Sequence, residues 1–493
     1  MEFTTATVQE ANEVMKAAGE VFSAYKKIAP DQKAIFLESI ADEIEALGDA
    51  LILKAAEETN IPFTRLIGER NRTVMQLRSN AAMVREGSWV EASVDTAIPE
   101  RMPSPKPDIR KMLVPLGPVI VFGASNFPFA YSTAGGDTAS ALAAGCPVVI
   151  KAHPAHARTS QMVYECIKKA IALCQMPSAI VQHVFGGNEV GKALIQHPAT
   201  AAVGFTGSFT GGTALVEYAR ERKNPIPVFS EMGSVNPVIF LPDTLEKNTA
   251  SLATTFAGSV TLGMGQFCTN PGLLLAVESD SLDQFIKMLG GEVSQVKPAK
   301  MLNAGIHKTY FERMEKALSQ QGVHHESVDS SVGEMEALPN IASVSGSVFL
   351  ENHYLHEEVF GPYSIMVRCK DMEELKNCWK AVKGQLTTSL IGTDKDFEEH
   401  KEFVELAQEI AGRIVFNGVP TGVEVCPSMV HGGPFPATTD SRFTAVGINA
   451  VKRWVRPVCF QSCPEYLLPE ELKNKNPLNI WRQVNNEWSK EGV

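Results

Sequence analysis

The stretch Val119-Ile120-Val121-Phe122, closed by Gly123, constrains this chain more than any other, because a small-residue helical pattern (137–144) and Val148-Val149-Ile150 follow it. Two short, wholly apolar runs leave neither face suited to water, so they read as parallel strands joined by a crossover helix. The alternation continues, with strand candidates at 180–185, 201–205 and 238–241 and helical stretches at 159–174 and 212–220 between them. A doubly wound parallel α/β sheet is expected. After about residue 245 a second alternating block begins, with helical patterns near 246–264, 309–319 and 396–411 and strands near 272–277, 363–368 and 414–416. It predicts a second α/β domain, as 493 residues exceed what one hydrophobic core accommodates.

Ahead of the first strand, Val14, Ala18, Val21, Phe22 and Tyr25 recur at helical spacing, Pro30 interrupts, and Ile35, Phe36, Ile40, Ile44 and Leu47 resume the period. Between 98 and 118 six prolines (99, 103, 105, 107, 115 and 118) predict an extended arm that crosses to another subunit. The tail beyond Arg456 is polar and rich in proline, and is expected to pack on the surface or on a partner. The expected division is 1–96 with 116–240 for one domain, 241–455 for the other, and 97–115 with 456–493 as oligomerisation arm and tail.

Composition excludes several classes. Acidic residues outnumber basic ones by 56 to 45 and no Lys/Arg run concentrates charge, so nucleic acid is not an expected partner. Met1-Glu2-Phe3-Thr4-Thr5 has no basic flank or apolar h-region, and no stretch of about 18 apolar residues follows, so a membrane is not expected either. Nine cysteines, an odd number without C-x-x-C spacing, suit a reducing, cytoplasmic compartment. Cys459 and Cys463 are close in sequence but lack a second ligand pair, and no metal is expected.

Several segments have the makings of chemistry. Gly204-Phe205-Thr206-Gly207-Ser208-Phe209-Thr210-Gly211-Gly212 joins a strand to a helix, where backbone N–H groups can receive a pyrophosphate; it also reads as a simple tight turn. Asn126, in Phe122-Gly123-Ala124-Ser125-Asn126-Phe127-Pro128, is either a hydrogen-bond donor to a ligand or an Asn stabilising its own turn. Cys268 lies in the glycine-flanked Gly263-Met264-Gly265-Gln266-Phe267-Cys268-Thr269-Asn270, as nucleophile or as small buried hydrophobe. Glu231 ends an apolar run, as general base or as an ordinary strand-end carboxylate. His431, in His431-Gly432-Gly433-Pro434, reads as a loop histidine rather than as the partner of a Cys/His dyad.

Taken in order, these segments closely resemble the aldehyde dehydrogenase superfamily along nearly the whole chain. Ser125-Asn126-Phe127-Pro128 is similar to its N-F-P turn, Lys151 to its strand-end lysine, Phe205-Thr206-Gly207-Ser208 to F-T-G-S, and Glu231-Met232-Gly233 to E-L-G. Gly265-Gln266-Phe267-Cys268 resembles G-Q-x-C, and Glu358-Val359-Phe360-Gly361-Pro362 resembles E-x-F-G-P. The segments 134–147 and 430–438 resemble a narrower branch with α-ketoglutaric semialdehyde (2,5-dioxovalerate) dehydrogenases and an NADP-preferring fatty aldehyde dehydrogenase. The second segment departs from the superfamily's usual G-G-x-K-x-S-G.

The resemblance implies an aldehyde dehydrogenase-like fold, homodimeric or homotetrameric, that oxidises an aldehyde to its carboxylic acid. Cys268 would attack the aldehyde, the Asn126 amide and the Cys268 N–H would hold the oxyanion, and Glu231 would activate the water that hydrolyses the thioester. Lys151 and Glu358 would hold the adenosine and nicotinamide riboses of NAD or NADP, Gly207 and Ser208 a phosphate, and Phe360 the nicotinamide side. Pro154 stands where NAD-specific relatives often have a ribose-binding glutamate, which favours NADP. The implied substrate is 2,5-dioxopentanoate; the alternative is a medium- or long-chain alkanal in a tunnel lined by Phe127, Phe129 and Phe267. A non-enzymatic binding protein would not keep Asn126, Glu231 and Cys268 together. No arginine is assignable from sequence to a substrate carboxylate.

Overall fold

The computed structural model describes residues 3–328, 331–382 and 384–493; Met1 and Glu2, at the head of the stretch inspected for a leader, lie outside them. Thr7 opens the first helix, Val8–Tyr25, with a reciprocal capping box to Glu10, and Pro30 occupies the first turn of Pro30–Ala46, where its missing N–H costs nothing. Gly48–Thr59 and Phe63–Glu86 complete the helical opening layer.

The first sheet is wholly parallel, in the order Val181–Val184, Val148–Lys151, Val119–Phe122, Ala202–Thr206, Val228–Glu231. The strand order reverses between Val119–Phe122 and Ala202–Thr206, and a crevice for ligands opens there at the carboxyl ends. Register places Phe122 beside Lys151 and Phe205, and Thr206 beside Glu231, so the loops bearing Asn126, Gly207 and Ser208 leave from one rim.

The second sheet runs His324–His325, Asn340–Ser345, Tyr363–Cys369, Leu273–Val277, Val238–Phe240, Gln385–Ile391, Ala411–Phe416, antiparallel only at its first edge. The strand at 238–240 therefore belongs with this sheet, between Leu273–Val277 and Gln385–Ile391, and the division expected after residue 240 falls one strand too late. An apolar run of this length suits either sheet, and its partners lie far along the chain. Asn340–Ser345 and Gln385–Ile391 went unread because their buried faces carry Ser343, Thr387, Thr388 and Ser389, whose hydroxyls break the apolar pattern. Helices Asp280–Ser294 and Met372–Ala381 were also unread.

Arm and tail form a third sheet, ordered Val455–Gln461, Ile109–Pro115, Ser93–Asp95, Arg482–Val484, Glu487–Ser489. The arm thus begins at 93 rather than 97, and a boundary at 455/456 cuts a strand. Arg482 is fully buried here, donating to the carbonyls of Lys473, Asn474 and Glu491. Among the described residues no helix is long and apolar enough to cross a membrane.

Candidate active site

Cys268 lies on the link from helix Pro242–Thr261 to strand Leu273–Val277. Gly263, Met264 and Gly265 turn the chain with φ of 55°, 55° and 61°, and a Cβ on Gly265 would stand 2.2 Å from the Gly361 carbonyl oxygen, so only glycine fits there. Asn236 braces the loop. Fully buried, with φ 45°, it donates from Nδ2 to the carbonyls of Cys268 (2.9 Å), Asn270 (2.9 Å) and Ser234 (3.2 Å), while Oδ1 accepts from Ser234 and Thr387 hydroxyls. Asn270 Nδ2 donates to the Gly361 carbonyl at 3.2 Å.

Three reactive side chains meet at this loop. His431 Nε2 stands 3.6 Å from Cys268 Sγ and 2.9 Å from Glu231 Oε1, and the three groups' donor atoms lie within 4.8 Å of one another. The loop histidine of the sequence reading is therefore a buried neighbour of the candidate nucleophile. Residues 431–445 form a strap across the end of strand Val228–Glu231: Thr438 bridges Glu231, Met232 N–H donates to Ala437, Thr439 N–H to Ser230, and His431 is held by Thr444 Oγ1 and Ala445 N–H. Proximity here arises from strand pairing between residues two hundred positions apart, which spacing along the chain cannot reveal. The Glu231–His431 approach lacks hydrogen-bond alignment, and both Glu231 oxygens and His431 Nδ1 are buried without a hydrogen-bond partner among the described residues. A cleft of about 270 Å³ lined by Ser230, Thr439, Asp440 and Arg453 opens behind the pair.

Cys268 is half-buried. Loss of hydration, then the Glu231 carboxylate, pushes its thiol well above the ordinary cysteine range, with Arg72 pulling the other way. The resting sulfur is a thiol, and a base must take its proton before it can attack. Cys268, His431 and Glu231 are also the one group of three such donors among the described residues close enough to share a metal ion, and Cys459 and Cys463 belong to none.

Asn126 does more than close its own turn. It is buried, and Nδ2 donates across the domain junction to the Gln266 carbonyl at 3.2 Å, two residues before Cys268. Glu69 holds its loop by accepting from the N–H groups of Phe129 (2.8 Å) and Ala130 (3.0 Å). Phe127 and Phe267 meet edge to face at 5.7 Å beside the cysteine, whereas Phe129 packs into the main core and lines no tunnel.

The residues expected at the cofactor sit at the rim of the crevice. Ser208 caps helix Phe209–Arg220, accepting from Gly211 N–H, and both Gly207 and Ser208 are exposed at that helix start. A Cβ on Gly207 would lie 2.5 Å from the Phe205 ring, so the turn stays open for an approaching phosphate. Burial holds the Lys151 ammonium below the usual lysine range with no acidic neighbour opposing it. Glu358 reaches under Gly233, where a Cβ would stand 2.4 Å from Oε2; burial pushes its carboxyl up to about 7 against the Ser234 N–H that bonds it. Glu358 and Phe360 share a cleft of about 470 Å³ with Ser234, Gly265 and Phe267. The open Gly207 turn at a helix start and the Lys151 ammonium at the strand end suit an anionic ligand such as a dinucleotide.

The aldehyde dehydrogenase family model matches residues 1–434, and the chain belongs to that family. It is 46% identical over 482 residues to α-ketoglutaric semialdehyde dehydrogenase 2 of Azospirillum brasilense, covering 97% of this chain and 92% of that protein. It is 45% identical over 486 residues to α-ketoglutaric semialdehyde dehydrogenase of Acinetobacter baylyi, covering 98% and 92%. Among solved structures, glyceraldehyde-3-phosphate dehydrogenase GapN of Methanocaldococcus jannaschii, complexed with NADP, has the same fold (TM-score 0.78, 19% identity, 93% of this chain and 95% of that one). A 1-pyrroline-5-carboxylate dehydrogenase is comparably alike (TM-score 0.77, 19% identity, 93% and 86%). The protein is an aldehyde-oxidising oxidoreductase that uses NAD(P).

Proposed function

We propose that this enzyme oxidises 2,5-dioxopentanoate to 2-oxoglutarate through a thioester on Cys268. The substrate reading is supported by the two semialdehyde dehydrogenases that align with nearly the whole chain. The observation that carries the mechanism is the contact of His431 Nε2 with both Cys268 Sγ and Glu231 Oε1. As sulfur attacks the aldehyde carbon, His431 takes the thiol proton, and the Glu231 carboxylate favours the imidazolium so formed. The Asn126 Nδ2 amide and the Cys268 N–H receive the charge developing on the aldehyde oxygen. Bound NAD(P)⁺ supplies the hydride acceptor. Glu231 then takes a proton from water, whose oxygen attacks the thioester; the C–S bond breaks, sulfur regains its proton from His431, and the carboxylic acid leaves.

Lys151 would hold the adenosine ribose, Gly207 and Ser208 a phosphate, Glu358 the nicotinamide ribose and Phe360 the nicotinamide side. NADP is the preferred form. Pro154 opens a short turn where a carboxylate would repel a 2′-phosphate, and Lys151 stands at the adjoining strand end. Medium- or long-chain alkanals are the second reading, favoured by the apolar cluster of Phe127, Ala130, Val423, Val425 and Met429, against which Phe267, next to the cysteine, also packs. The third sheet, which exposes Trp488, and the tail turn beside it, which exposes Tyr466 and Leu467, form the contact of a homodimer or homotetramer, and nine free thiols suit the cytoplasm. Rapid-quench kinetics test the mechanism. Glu231→Gln should release one equivalent of NADPH per active site and then turn over slowly, whereas Cys268→Ala should give neither phase; an unaltered steady rate in Glu231→Gln would refute hydrolysis by this carboxylate.

A further inference from the structure

Three arginines surround the Cys268 loop, and their commitments differ. Arg413 is spent on the Gly422 carbonyl (2.8 Å) and the Pro420 carbonyl. Arg72 donates to the Tyr131 hydroxyl at 3.2 Å and lies over that ring, its Nε buried without a partner among the described residues. Arg65, two turns earlier on helix Phe63–Glu86, is half-buried and lies over two rings, 4.3 Å from the Phe267 centroid and 5.1 Å from that of Phe127. Among the described residues it uses one of its five N–H donors, from Nη2 to the Asn126 carbonyl at 2.8 Å. The neighbouring acid, Glu69, spends Oε1 on the N–H groups of Phe129 and Ala130, and its Oε2, buried without a hydrogen-bond partner among the described residues, faces Arg65 electrostatically but makes no ion pair with it.

We infer that Arg65 is the residue that recognises the substrate's distal carboxylate. Phe127 follows the oxyanion donor Asn126 and Phe267 precedes Cys268, so the two rings hold a planar cation at the flank of the reacting carbon. In extended 2,5-dioxopentanoate the aldehyde and carboxylate carbons are roughly 5 Å apart, so the group that receives the carboxylate must lie beside the loop that carries the nucleophile. Stacking fixes the plane of the fork and leaves its edge free, the geometry a carboxylate meets with two parallel hydrogen bonds. The adjoining apolar cluster takes the two methylenes and excludes water, which strengthens the pairing.

This assignment rests on the proposed carboxylate-bearing substrate, and one experiment separates the two. The kcat/KM ratio of 2,5-dioxopentanoate to pentanal, equal in chain length, is measured in the parent enzyme and in Arg65→Met and Arg65→Lys. The parent ratio tests the substrate reading, and a value below one overturns it. The change in that ratio tests Arg65. Methionine keeps the apolar stem on the rings, so the ratio should fall about 10- to 100-fold through KM for the charged substrate, with lysine restoring part of it. Equal losses for both aldehydes would show that Arg65 serves only the Asn126 carbonyl, and an unchanged ratio would show no contact with the carboxylate; either overturns the proposal.

Discussion

Asn236 offers the sharpest test of how the nucleophile is held. Its Nδ2 group satisfies the carbonyls of Cys268, Asn270 and Ser234, and its φ of 45° is one that asparagine and glycine tolerate and alanine does not. Removing the side chain strands two or three buried carbonyls at about 1–3 kcal/mol each, and settling of the loop leaves a net loss of about 2–5 kcal/mol. For a cooperative unit of the second domain's size that lowers the melting midpoint by roughly 4 to 20 °C. Asn236→Gly loses the hydrogen bonds alone, whereas Asn236→Ala adds the left-handed strain, so alanine should be the less stable by about 1 kcal/mol. A shift of the Cys268 carbonyl by about 1 Å costs on the order of 10²-fold in rate, so kcat should fall in both variants. Calorimetry with steady-state kinetics is the assay. Two variants with parental midpoints and kcat within about threefold of the parent would show that the Cys268 loop does not depend on this brace.

Two further outcomes follow from the geometry. Asn126→Ala should lower kcat by roughly 10²- to 10³-fold while iodoacetamide still alkylates Cys268 at near the parental rate, since an oxyanion donor acts on the transition state and not on the resting thiol; equal loss of alkylation would point to a displaced loop instead. Glu358, raised to about 7, is mostly the neutral acid below that pH and the carboxylate above it, so as a ribose acceptor it should give a KM for NADP⁺ up to about tenfold higher at pH 6 than at pH 8. Glu358→Gln should flatten that profile, and a profile unchanged by the substitution would remove Glu358 from the ribose site.

The centre of the first sheet was legible in sequence because Val119–Phe122 and the valines and isoleucine of Val148–Lys151 are apolar on both faces, whereas the edge strands Val181–Val184 and Val228–Glu231 carry Gln182, His183 and Ser230. The second sheet was less so, since buried Thr387, Thr388 and Ser389 mimic a loop, the two threonine hydroxyls donating inside the core to Asn236 Oδ1 and the Pro237 carbonyl. Of the site, the motifs around Asn126, Glu231 and Cys268 were readable only through their order in a known family; their individual residue patterns left bland alternatives open. His431 was undervalued because its partners come from strand pairing at long range. Arg65 and Asn236 were missed: nothing in the period of helix Phe63–Glu86 marks one arginine as lying over two aromatic rings, and a buried asparagine after Gly233-Ser234-Val235 looks like a turn residue.

The position of the trio at the junction accounts for why so much of the chain is needed to make one reactive sulfur. Glu231 comes from the last strand of the first sheet, Cys268 from the entry to the second, and His431 from the strap that pairs back onto the Glu231 strand. Any relative movement of the two sheets therefore changes the Sγ–Nε2 distance, while the strap carries His431 along with Glu231. Three contacts resist it at the sulfur itself: Asn126 reaches from the first sheet to the Gln266 carbonyl, Asn236 ties the Cys268 and Asn270 carbonyls to the second, and the Met232–Ala437 and Thr439–Ser230 bonds lock the strap. A thiol that burial and a carboxylate both hold protonated is inert until a base stands on it. Because the base arrives on a separate segment, this activation is confined to the assembled junction, and among the described residues none of the other eight cysteines stands in such a group with a histidine and a carboxylate.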